Sequence, residues 1–591
     1  MIAWGVALLA LLPHLAGLGN GFVYDDFRFA VENPGVQTLA RPWELAAGIA
    51  RASSPPDRDI WRPLRTLLFA GEHALFGGRA AGWHATSLLL HLLLVRALIA
   101  LAARMPGMTP RRALAAGLLF GVHPLTVESV AWVSSQGDLL AALLCAGALA
   151  AAGGRPWLAA SAALLAPFAK ESALPLCLAL AAARRAFAPP ARPRVAVVVV
   201  AAAAAALFVF ARQAVLGRDL DLSAAGLGQR DAGGGAKLLQ FCQNVPLALR
   251  LFVAPWPLSI DYDAARPGAP GGVDVALTLA AAATLGAALR RPRLRARCGF
   301  ALLLALLFFL PTSGLLIALK SPIAERFLLL PCAALTLAAV AAPPALAQGS
   351  ARRRGAAAVA AAVVLLFASL TFLRTRDFAG EERLWRAELA VNPGSIQARL
   401  GLFHVTTEAG DRGAARALGE SIVALSPPGD ARRITALFGL GRAALAAGRE
   451  DDAALLLEQA RREIGARGRV DDLDPALHLA YVALGNWRRT RLGPADAEAV
   501  LREGIERFGR APRLLEGLGI TLDEQGDAAG AEGLYREALA AGEESATLRY
   551  HLALALLHLG RPREARLEVE QALTLDPGHV PSRRLREQLG G

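Results

Sequence analysis

Charged residues are scarce in this chain of 591 residues. They make up 19% of the sequence, whereas apolar residues make up 54%. A soluble globular protein has about 25% charged residues. The shortage excludes a chain that is soluble along its whole length and indicates that much of it lies in lipid. The length also predicts two or more folding units.

Cysteine and lysine are also rare. The five cysteines lie in or beside apolar runs without C-x-x-C or paired spacing, which argues against a disulfide framework and against a zinc site. The only lysines are Lys170, Lys237 and Lys320, against sixty arginines. Because an ammonium is a compact point charge, Lys170 and Lys320 are candidate partners for a phosphate.

The positive net charge does not indicate a nucleic-acid partner. The net charge is +13, but the chain from Arg374 onward has 30 arginines and 33 acidic residues, so the basic excess belongs to the first 373 residues. There the arginines form clusters between apolar runs, without a basic face beside aromatic or groove-reading elements. Such clusters are typical of the cytoplasmic loops of a membrane protein.

The apolar runs predict about eleven transmembrane helices, because lipid leaves backbone polar groups no partner outside a helix. The predicted spans are residues 1–19, 83–103, 113–130, 138–153, 156–169, 171–187, 194–212, 272–289, 298–316, 327–346 and 356–373. The first span has no basic segment before it and no cleavage motif, so we interpret it as a retained helix and not as a signal peptide. The sequence thus predicts an all-α membrane domain over residues 1–373.

The arginine clusters also predict the orientation. They begin near Arg104, Arg184, Arg290 and Arg352 and fall on alternate connections, which places these loops and the N-terminus in the cytoplasm. The clusters fall on alternate connections only if residues 238–256 do not cross the membrane fully. We therefore predict a re-entrant or interfacial helix there, broken by prolines. The long loops 20–82 and 213–271 then lie on the other side, which is the periplasmic side if the membrane is a bacterial inner membrane.

The C-terminal part, residues 374–591, has an internal period. Gly526 and Gly560 are 34 residues apart, and so are Tyr535 and Val569, which is the length of a tetratricopeptide repeat (TPR). We expect about five helical hairpins after a lead-in helix containing Trp385. Such a stack leaves a concave groove that suits an extended polypeptide, although a structural spacer is an alternative. The alternation of arginine-rich loops along the chain predicts that this domain lies on the non-cytoplasmic side.

Six polar elements fall on the predicted outer side of the bundle. In chain order they are Tyr24-Asp25-Asp26, Trp61-Arg62-Pro63-Leu64, His123 to Glu128 with Asp138, Lys170-Glu171, Asp261-Tyr262-Asp263, and Glu325-Arg326 with Lys320 nearby. Ionisable groups next to lipid are costly unless they are paired or functional. Asp25 and Asp26 suit a general base, although adjacent acids also occur in solvated loops. His123 and Glu128 would equally suit a pair that only locks two helices together, and the element around Tyr262 suits a capping loop.

The order of these motifs resembles that of the transmembrane and tetratricopeptide-repeat protein O-mannosyltransferases and their bacterial relatives. The resemblance runs over essentially the whole chain, and its specificity lies in the ordered set. The residues that carry it are Tyr24-Asp25-Asp26, Asn33-Pro34, Trp61-Arg62-Pro63-Leu64, Gly82-Trp83-His84, Leu90-His91, the run from His123 to Val133, and Ala324-Glu325-Arg326.

The resemblance implies a class C glycosyltransferase that takes a sugar, mannose or another hexose, from a polyprenyl-phosphate carrier. Asp25 or Asp26 would be the catalytic acid of the first external loop. His123, Glu128 and Asp138 would line the cavity, and Glu325 with Arg326 would close its other wall. We add as substrate-binding candidates Arg62, Lys170, Glu171 and Lys320.

The expected reaction is an inverting displacement by an acceptor hydroxyl, with cations stabilising the leaving phosphate. No cofactor or metal is required by the ligand types present, although a divalent metal between carboxylates stays open. The partners are then the lipid carrier and a protein or peptide acceptor held by the TPR groove. The rival interpretations are a non-catalytic membrane scaffold for envelope proteins and a transporter, which would show an inverted repeat.

Overall fold

The computed structural model describes residues 1–33, 35–37, 60–216, 234–262, 272–316, 323–342, 350–467, 470 and 473–590. Within these ranges the chain is helical and contains no strand. It divides into two compact units, Met1–Gly401 and Leu402–Gly591. The first unit therefore extends past the predicted domain boundary at residues 373 and 374.

The first unit contains fifteen α-helices in the described ranges. Short 3-10 turns join some of them. The helices are α1 Ile2–Leu11, α2 Pro63–Phe76, α3 Ala80–Ala102, α4 Pro110–Gly121, α5 Val127–Ala131, α6 Gln136–Ala151, α7 Pro156–Ala169, α8 Leu176–Ala186, α9 Val195–Leu216, α10 Gly234–Val253, α11 Gly272–Arg290, α12 Pro292–Phe309, α13 Leu329–Ala341, α14 Ser350–Asp377 and α15 Glu381–Val391.

Six helical segments among the described residues are long and apolar enough to cross a membrane. They are Ile2–Gly19, Ala80–Ala102, Val133–Ala151, Val195–Val215, Pro292–Thr312 and Arg354–Asp377. A seventh would be Pro110–Gly121 with Pro124–Ala131, a pair bent by 60°. These segments make the chain a multi-pass membrane protein.

The described helices that are long enough to cross a membrane are fewer than the eleven spans predicted from apolar runs. The predicted spans 171–187 and 327–346 form helices of only 11 and 13 residues, α8 and α13. Residues 156–169 and 272–287 form apolar helices that are also below the length of a full span. A full crossing of the hydrocarbon core takes about 20 residues, so an apolar run alone overstates the helix length.

The helix predicted to be broken at residues 238–256 is continuous. Helix α10 runs from Gly234 to Val253 with Pro246 inside it. The prediction of a break at Pro246 was wrong, because proline removes only one backbone donor and the neighbouring hydrogen bonds hold the helix. The helix ends before Pro255.

Small residues let the first helices pack closely in the core of the membrane unit. A Cβ added at Gly121 would lie 2.5 Å from the Cβ of Ala10, and one at Gly117 would clash with the side chain of Ile99. Close backbone approach of this kind stabilises helix pairs in lipid, where burial supplies no hydrophobic driving force.

The second part of the chain is a stack of helical hairpins, as predicted. The helices are α16 Ile396–Glu408, α17 Arg412–Leu425, α18 Ala431–Ala446, α19 Glu450–Gly465, α20 His478–Arg491, α21 Pro494–Phe508, α22 Pro512–Glu524, α23 Ala528–Ala540, α24 Ala546–His558, α25 Pro562–Leu575 and α26 Val580–Gln588. The turns inside the last two hairpins have Gly526 at φ +89° and Gly560 at φ +74°, a conformation that favours glycine. Five hairpins follow α15, which is the predicted lead-in helix and contains Trp385.

Candidate functional site

The tandem aspartates lie in a tight turn directly after the first span, and their environments differ. The carboxylate of Asp26 is fully buried and accepts the backbone N–H of Val23 at 3.0 Å and that of Ser134 at 2.6 Å. Burial raises the pKa of Asp26 to about 7, and the neighbouring Asp25 contributes to the increase. Asp25 is only partly buried. Asp26 therefore ties the turn to the backbone, and Asp25 is the more accessible carboxylate.

A buried ion pair lies beside this turn. Glu128 accepts the backbone N–H of Arg326 at 2.8 Å, and its other oxygen accepts from the Arg326 guanidinium. The guanidinium lies 4.9 Å from the ring of Trp132, on which the ring of Tyr24 stacks at 5.7 Å. Burial opposes the charge of Arg326, but the adjacent carboxylates, Glu128 foremost and Asp25 among them, raise its pKa. Trp132 thus joins the aspartate turn to the Arg326 pair.

A second ion pair adjoins the first. The ammonium of Lys170 donates to both carboxylate oxygens of Asp138, at 2.7 and 2.6 Å. The ring of Phe327 lies 5.5 Å from this ammonium and 5.0 Å from the guanidinium of Arg326. Burial lowers the pKa of Lys170 to about 8, although Asp138 opposes the shift. Two cations therefore share one aromatic ring.

The third pair is Arg62 with Glu171, the residue that follows Lys170. The guanidinium Nε of Arg62 donates to Glu171 Oε2 at 2.9 Å, and a terminal nitrogen donates to the other oxygen. Burial alone would raise the pKa of Glu171, but the positive charges of Arg62 and Lys170 lower it to about 2. This bidentate pair extends the row of cations along the site.

Glu325, the residue before Arg326, is buried in a wall of the site that it forms with Tyr262 and Arg374. Its Oε1 accepts the Tyr262 hydroxyl at 3.2 Å and an Arg374 guanidinium N–H at 3.1 Å. Its Oε2 is buried and has no hydrogen-bond partner within the described part of the chain. Burial raises the pKa of Glu325 to about 8, against the effect of Arg374. This carboxyl group can therefore hold a proton near neutral pH.

Three of the predicted residues are not found in this cluster. His123 has other partners, and Lys320 and Asp263 cannot be assigned because they are outside the described residues. His123 Nε2 bonds to the carbonyl of Phe252 at 3.0 Å, and its Nδ1 accepts from the backbone of Leu125 at 3.2 Å, so both ring nitrogens serve the fold. Within the residues that are described, no group of three His, Cys, Asp or Glu side chains is arranged to hold a metal ion.

Several site residues had no assigned role in the sequence. The ring of Phe327 contacts both Lys170 and Arg326, and the ring of Trp132 contacts Arg326 and Tyr24. Tyr262, expected in a capping loop, contacts Glu325. Arg374 lies near the end of the last apolar run. A charged residue in an apolar helix indicates a buried partner, and this signal was available for Arg374.

An apolar cavity opens close to these ion pairs. Its volume is about 290 Å³, and residues of α10 to α13 line most of it. Its wall includes Leu125, three residues before Glu128, and Leu328, which shares a short 3-10 turn with Glu325 and Arg326. The polar cluster and the apolar cavity are therefore neighbours along two separate segments.

Comparisons with known proteins give two kinds of match. The chain is 37% identical over 142 residues to the protein O-mannosyl-transferase Tmtc2 of Drosophila melanogaster, which is 23% of this chain and 15% of that protein. It is 32% identical over 154 residues to human protein O-mannosyl-transferase TMTC4, which is 23% of this chain and 21% of that protein. The matched region thus spans about a fifth or less of these relatives' lengths.

The C-terminal unit matches the tetratricopeptide repeat model over residues 480–546 and 517–580. Among solved structures, YrrB, a TPR protein with an unusual peptide-binding site, is 14% identical with a TM-score of 0.28 over 34% of this chain and 97% of YrrB. Pseudomonas aeruginosa PilF is 16% identical with a TM-score of 0.30 over 40% of this chain and 91% of PilF. The family resemblance inferred from the sequence is confirmed over about a quarter of the chain, which is similar to the protein O-mannosyl-transferases, and the C-terminal unit contains tetratricopeptide repeats.

Proposed function

We propose that the protein is a membrane glycosyltransferase that moves a sugar, mannose or another hexose, from a polyprenyl-phosphate carrier to a hydroxyl group of a protein or envelope acceptor. The observation that supports this most is the meeting of the aspartate turn, the Arg326–Glu128 pair and the Lys170–Asp138 pair around two aromatic rings. Tyr24 and Arg326 share the ring of Trp132, and Arg326 and Lys170 share that of Phe327. The charge of Asp25 also contributes to the raised pKa of Arg326. These residues come from four separate segments. A dispersed arrangement would have favoured a scaffold.

The donor phosphate would bind beside Arg326. The side chain of Arg326 is 23% exposed, against 11% for Arg62 and 5% for Lys170, so it is the most accessible of the three cations. A guanidinium has five N–H donors and can contact a phosphate while it keeps a bond to Glu128. The isoprenoid chain of the carrier would occupy the apolar cavity that includes Leu328, two residues further along.

The acceptor hydroxyl would be activated by Asp25. Its partial exposure leaves it accessible to an incoming hydroxyl, whereas both oxygens of Asp26 accept backbone amides. As the acceptor oxygen bonds to the anomeric carbon, the bond to the phosphate oxygen breaks and Asp25 takes the hydroxyl proton. The product has the inverted configuration. Arg326 and Lys170 stabilise the negative charge that grows on the leaving phosphate.

The acceptor would be recruited by the TPR unit. A cavity of about 640 Å³ lies between α18 and α20, with an apolar floor that includes Phe438, Leu479 and Val482. Arg442, Glu450 and Asn486 line it as polar groups, and the charge of Glu450 is compensated by an ion pair with Arg491. The guanidinium of Arg442 lies over the ring of Phe438, at 5.6 Å. An extended peptide with an apolar residue next to a carboxylate has the complementary chemistry.

This proposal places the active site and the TPR unit on the non-cytoplasmic side of an inner membrane, with the N-terminus in the cytoplasm. The support is the alternation of arginine-rich loops along the sequence. Cysteine-accessibility labelling at exposed positions of the TPR unit in intact cells would test it. Labelling only after the membrane is permeabilised to reach the cytoplasm would contradict this orientation.

The central experiment measures transfer of radiolabelled mannose and glucose from polyprenyl-phosphate donors to membrane and periplasmic proteins. Purified wild type is compared with Asp25→Asn and Asp26→Asn. We expect Asp25→Asn to transfer sugar about 10² to 10⁴ times more slowly than wild type, because the amide cannot take the hydroxyl proton. The unfolding midpoint is measured alongside, so that a loss of rate is compared with any loss of stability. Asp26→Asn is expected to lower the unfolding midpoint together with the rate, because an amide N–H₂ would face a backbone N–H.

The same experiment separates the enzyme from the non-catalytic scaffold. A scaffold would bind envelope proteins equally well in wild type and in Asp25→Asn and would transfer no sugar from either donor. Transfer at the wild-type rate in Asp25→Asn would remove Asp25 from the proposed mechanism.

A further inference from the structure

Helix α15, the first helix after the last membrane segment, contacts the aspartate turn. The side chain of Glu381 accepts the backbone N–H of Tyr24 at 2.8 Å. The buried ring of Trp385 meets the Tyr24 ring edge to face, at 5.1 Å between centroids. Tyr24 has a φ of +50°, which is unusual for a residue with a side chain, so the conformation of this turn depends on such contacts.

The same helix contacts the loop at residues 259–262, which is hydrogen-bonded to Glu325 through Tyr262. The carboxylate of Glu388 accepts the Ser259 hydroxyl and the Ile260 backbone N–H, both at 2.8 Å. Asn392, directly after the helix, donates to Ser259 Oγ at 2.7 Å and to the carbonyl of Asp261 at 3.3 Å. The next residue along the loop is Tyr262, whose hydroxyl donates to Glu325.

The contacts with both walls come from one face of α15. Glu381, Trp385 and Glu388 follow the spacing that places residues on one side of a helix, and Glu381 and Glu388 are about 10 Å apart along its axis. A small apolar cluster fills the space between them: Leu384 of α15 packs in it with Val23 of the aspartate turn, and Ile260 packs against it. The opposite face is solvated and carries the Glu382–Arg386 ion pair, whose side chains are 57% and 70% exposed.

We propose that α15 is a rigid spacer that sets the gap between the Asp25 turn and the Tyr262–Glu325 wall, with Glu381 and Glu388 as its positioning residues. This inference rests on the proposed function for its effect on rate. Neither glutamate touches the reacting groups. Each acts through a backbone segment that it holds, so the catalytic part of the chain ends after α15 and not at residue 373.

The test uses the full-length protein and variants of α15. Glu388→Gln keeps the side-chain size but presents an N–H₂ group to the donors of the 259–260 loop. Glu381→Gln does the same to the Tyr24 backbone. Glu382→Gln, on the solvated face of the same helix, is the matched control. In the double variant Glu388→Gln with Asn392→Asp, the acid and the amide exchange places, so the introduced carboxylate accepts the Ser259 hydroxyl while the introduced amide oxygen accepts the Ile260 backbone N–H.

The first readout is amide hydrogen exchange, which is independent of activity. We expect Glu388→Gln to speed exchange in residues 255–262 and not in residues 20–28, and Glu381→Gln to do the reverse. The second readout is the rate of sugar transfer. A shift of about 1 Å at the site lowers kcat by about tenfold to a hundredfold, so each variant should lose kcat with KM for the lipid donor changed less than about threefold. The exchanged pair should recover part of the kcat that Glu388→Gln loses, because a carboxylate at position 392 cannot donate to the Asp261 carbonyl as Asn392 does.

The outcomes of the two readouts separate the two proposals. If wild type transfers no sugar, the proposed function fails, and the exchange pattern alone decides whether α15 holds both segments. If wild type transfers sugar and the Glu388→Gln and Glu381→Gln variants keep wild-type kcat, the positioning role is wrong. Equal acceleration of exchange in both segments by either variant would also overturn it, since that pattern is general loosening of the unit.

Discussion

The Arg326–Glu128 pair offers the sharpest test, because a structural role and a catalytic role predict different behaviour in a double variant. Arg326→Gln leaves the carboxylate of Glu128, which is 1% exposed, with only the backbone N–H of residue 326. Removing one partner of a buried pair costs about 3 to 5 kcal/mol. Because Arg326 is partly exposed, we expect the lower end of that range. The loss of its contacts with Trp132 and Phe327 adds about 1 kcal/mol.

The double variant Glu128→Gln with Arg326→Gln removes both charges and keeps two side chains that can hydrogen-bond to each other. Replacement of a buried ion pair by neutral groups of similar size is close to neutral. We therefore expect the free energy of unfolding to return to within about 1 to 2 kcal/mol of wild type, the residual being the lost ring contacts. The cation for the donor phosphate is still absent, so transfer should stay about 10² to 10³ below wild type.

Unfolding is measured by titration with sodium dodecyl sulfate in mixed micelles, and transfer is measured with a radiolabelled polyprenyl-phosphate sugar. Glu128→Gln alone is the companion control, because it tests the loss of the acid while Arg326 is kept. Recovery of transfer together with stability in the double variant would refute the catalytic role and leave Arg326 as a structural residue.

Three further predictions concern other parts of the chain. The pKa of Lys170 is lowered to about 8, so its ammonium is lost as the pH rises through 8, and the KM for the lipid donor should rise above that pH. Lys170→Arg, whose charge persists, should reduce this rise and leave only the part due to ionisation of Glu325, whose pKa is also about 8. An identical pH profile in both proteins would contradict the assignment. In the TPR unit, Gly519→Ala places a Cβ 2.5 Å from the Tyr535 ring and should cost about 1 to 3 kcal/mol by thermal unfolding, whereas Gly533→Ala, with nothing within 4 Å, should be neutral or stabilising by up to about 1 kcal/mol. Arg442→Ala should raise the KM for a peptide acceptor about fivefold through a lost contact worth about 1 kcal/mol, with the donor KM unchanged; a change in the donor KM instead would count against acceptor recruitment.

The convergence of the polar motifs could be predicted, because loop charge fixes which ends of the helices share a side of the membrane. Asp25, Glu128, Lys170 and Glu325 lie at or beside helix ends that the arginine pattern placed on one face. The partners within the cluster could not be predicted. Whether Lys170 pairs with Asp138 or Glu171 depends on side-chain geometry between helices, which has no signature in a single sequence.

The difference between the two aspartates was also beyond the sequence. Asp25 and Asp26 are the same residue type at adjacent positions, so the sequence does not distinguish them. In the structure Asp26 accepts the backbone N–H of Ser134, which is 108 residues away along the chain. The number of full spans was also beyond the sequence. The hydropathy of a run does not say where a helix begins, and α8 and α13 begin only after the short 3-10 turns Glu171–Ala173 and Glu325–Leu328. The TPR unit was easier, since its 34-residue period is local and each repeat packs on its neighbour.

The site can accept a phosphate although Arg62, Lys170 and Arg326 each already have a carboxylate partner, and its charge balance explains how. Arg62, Lys170 and Arg326 form neutral pairs, so the resting cluster avoids the cost of isolated buried charge. Burial raises the pKa of Glu325 to about 8, so this carboxyl group can hold a proton near neutral pH. With Glu325 neutral, the cluster loses one negative charge, and the incoming phosphate meets less repulsion while it competes for Arg326 and Lys170. The burial that makes the paired cations costly to separate therefore also keeps this neighbouring acid from repelling the donor.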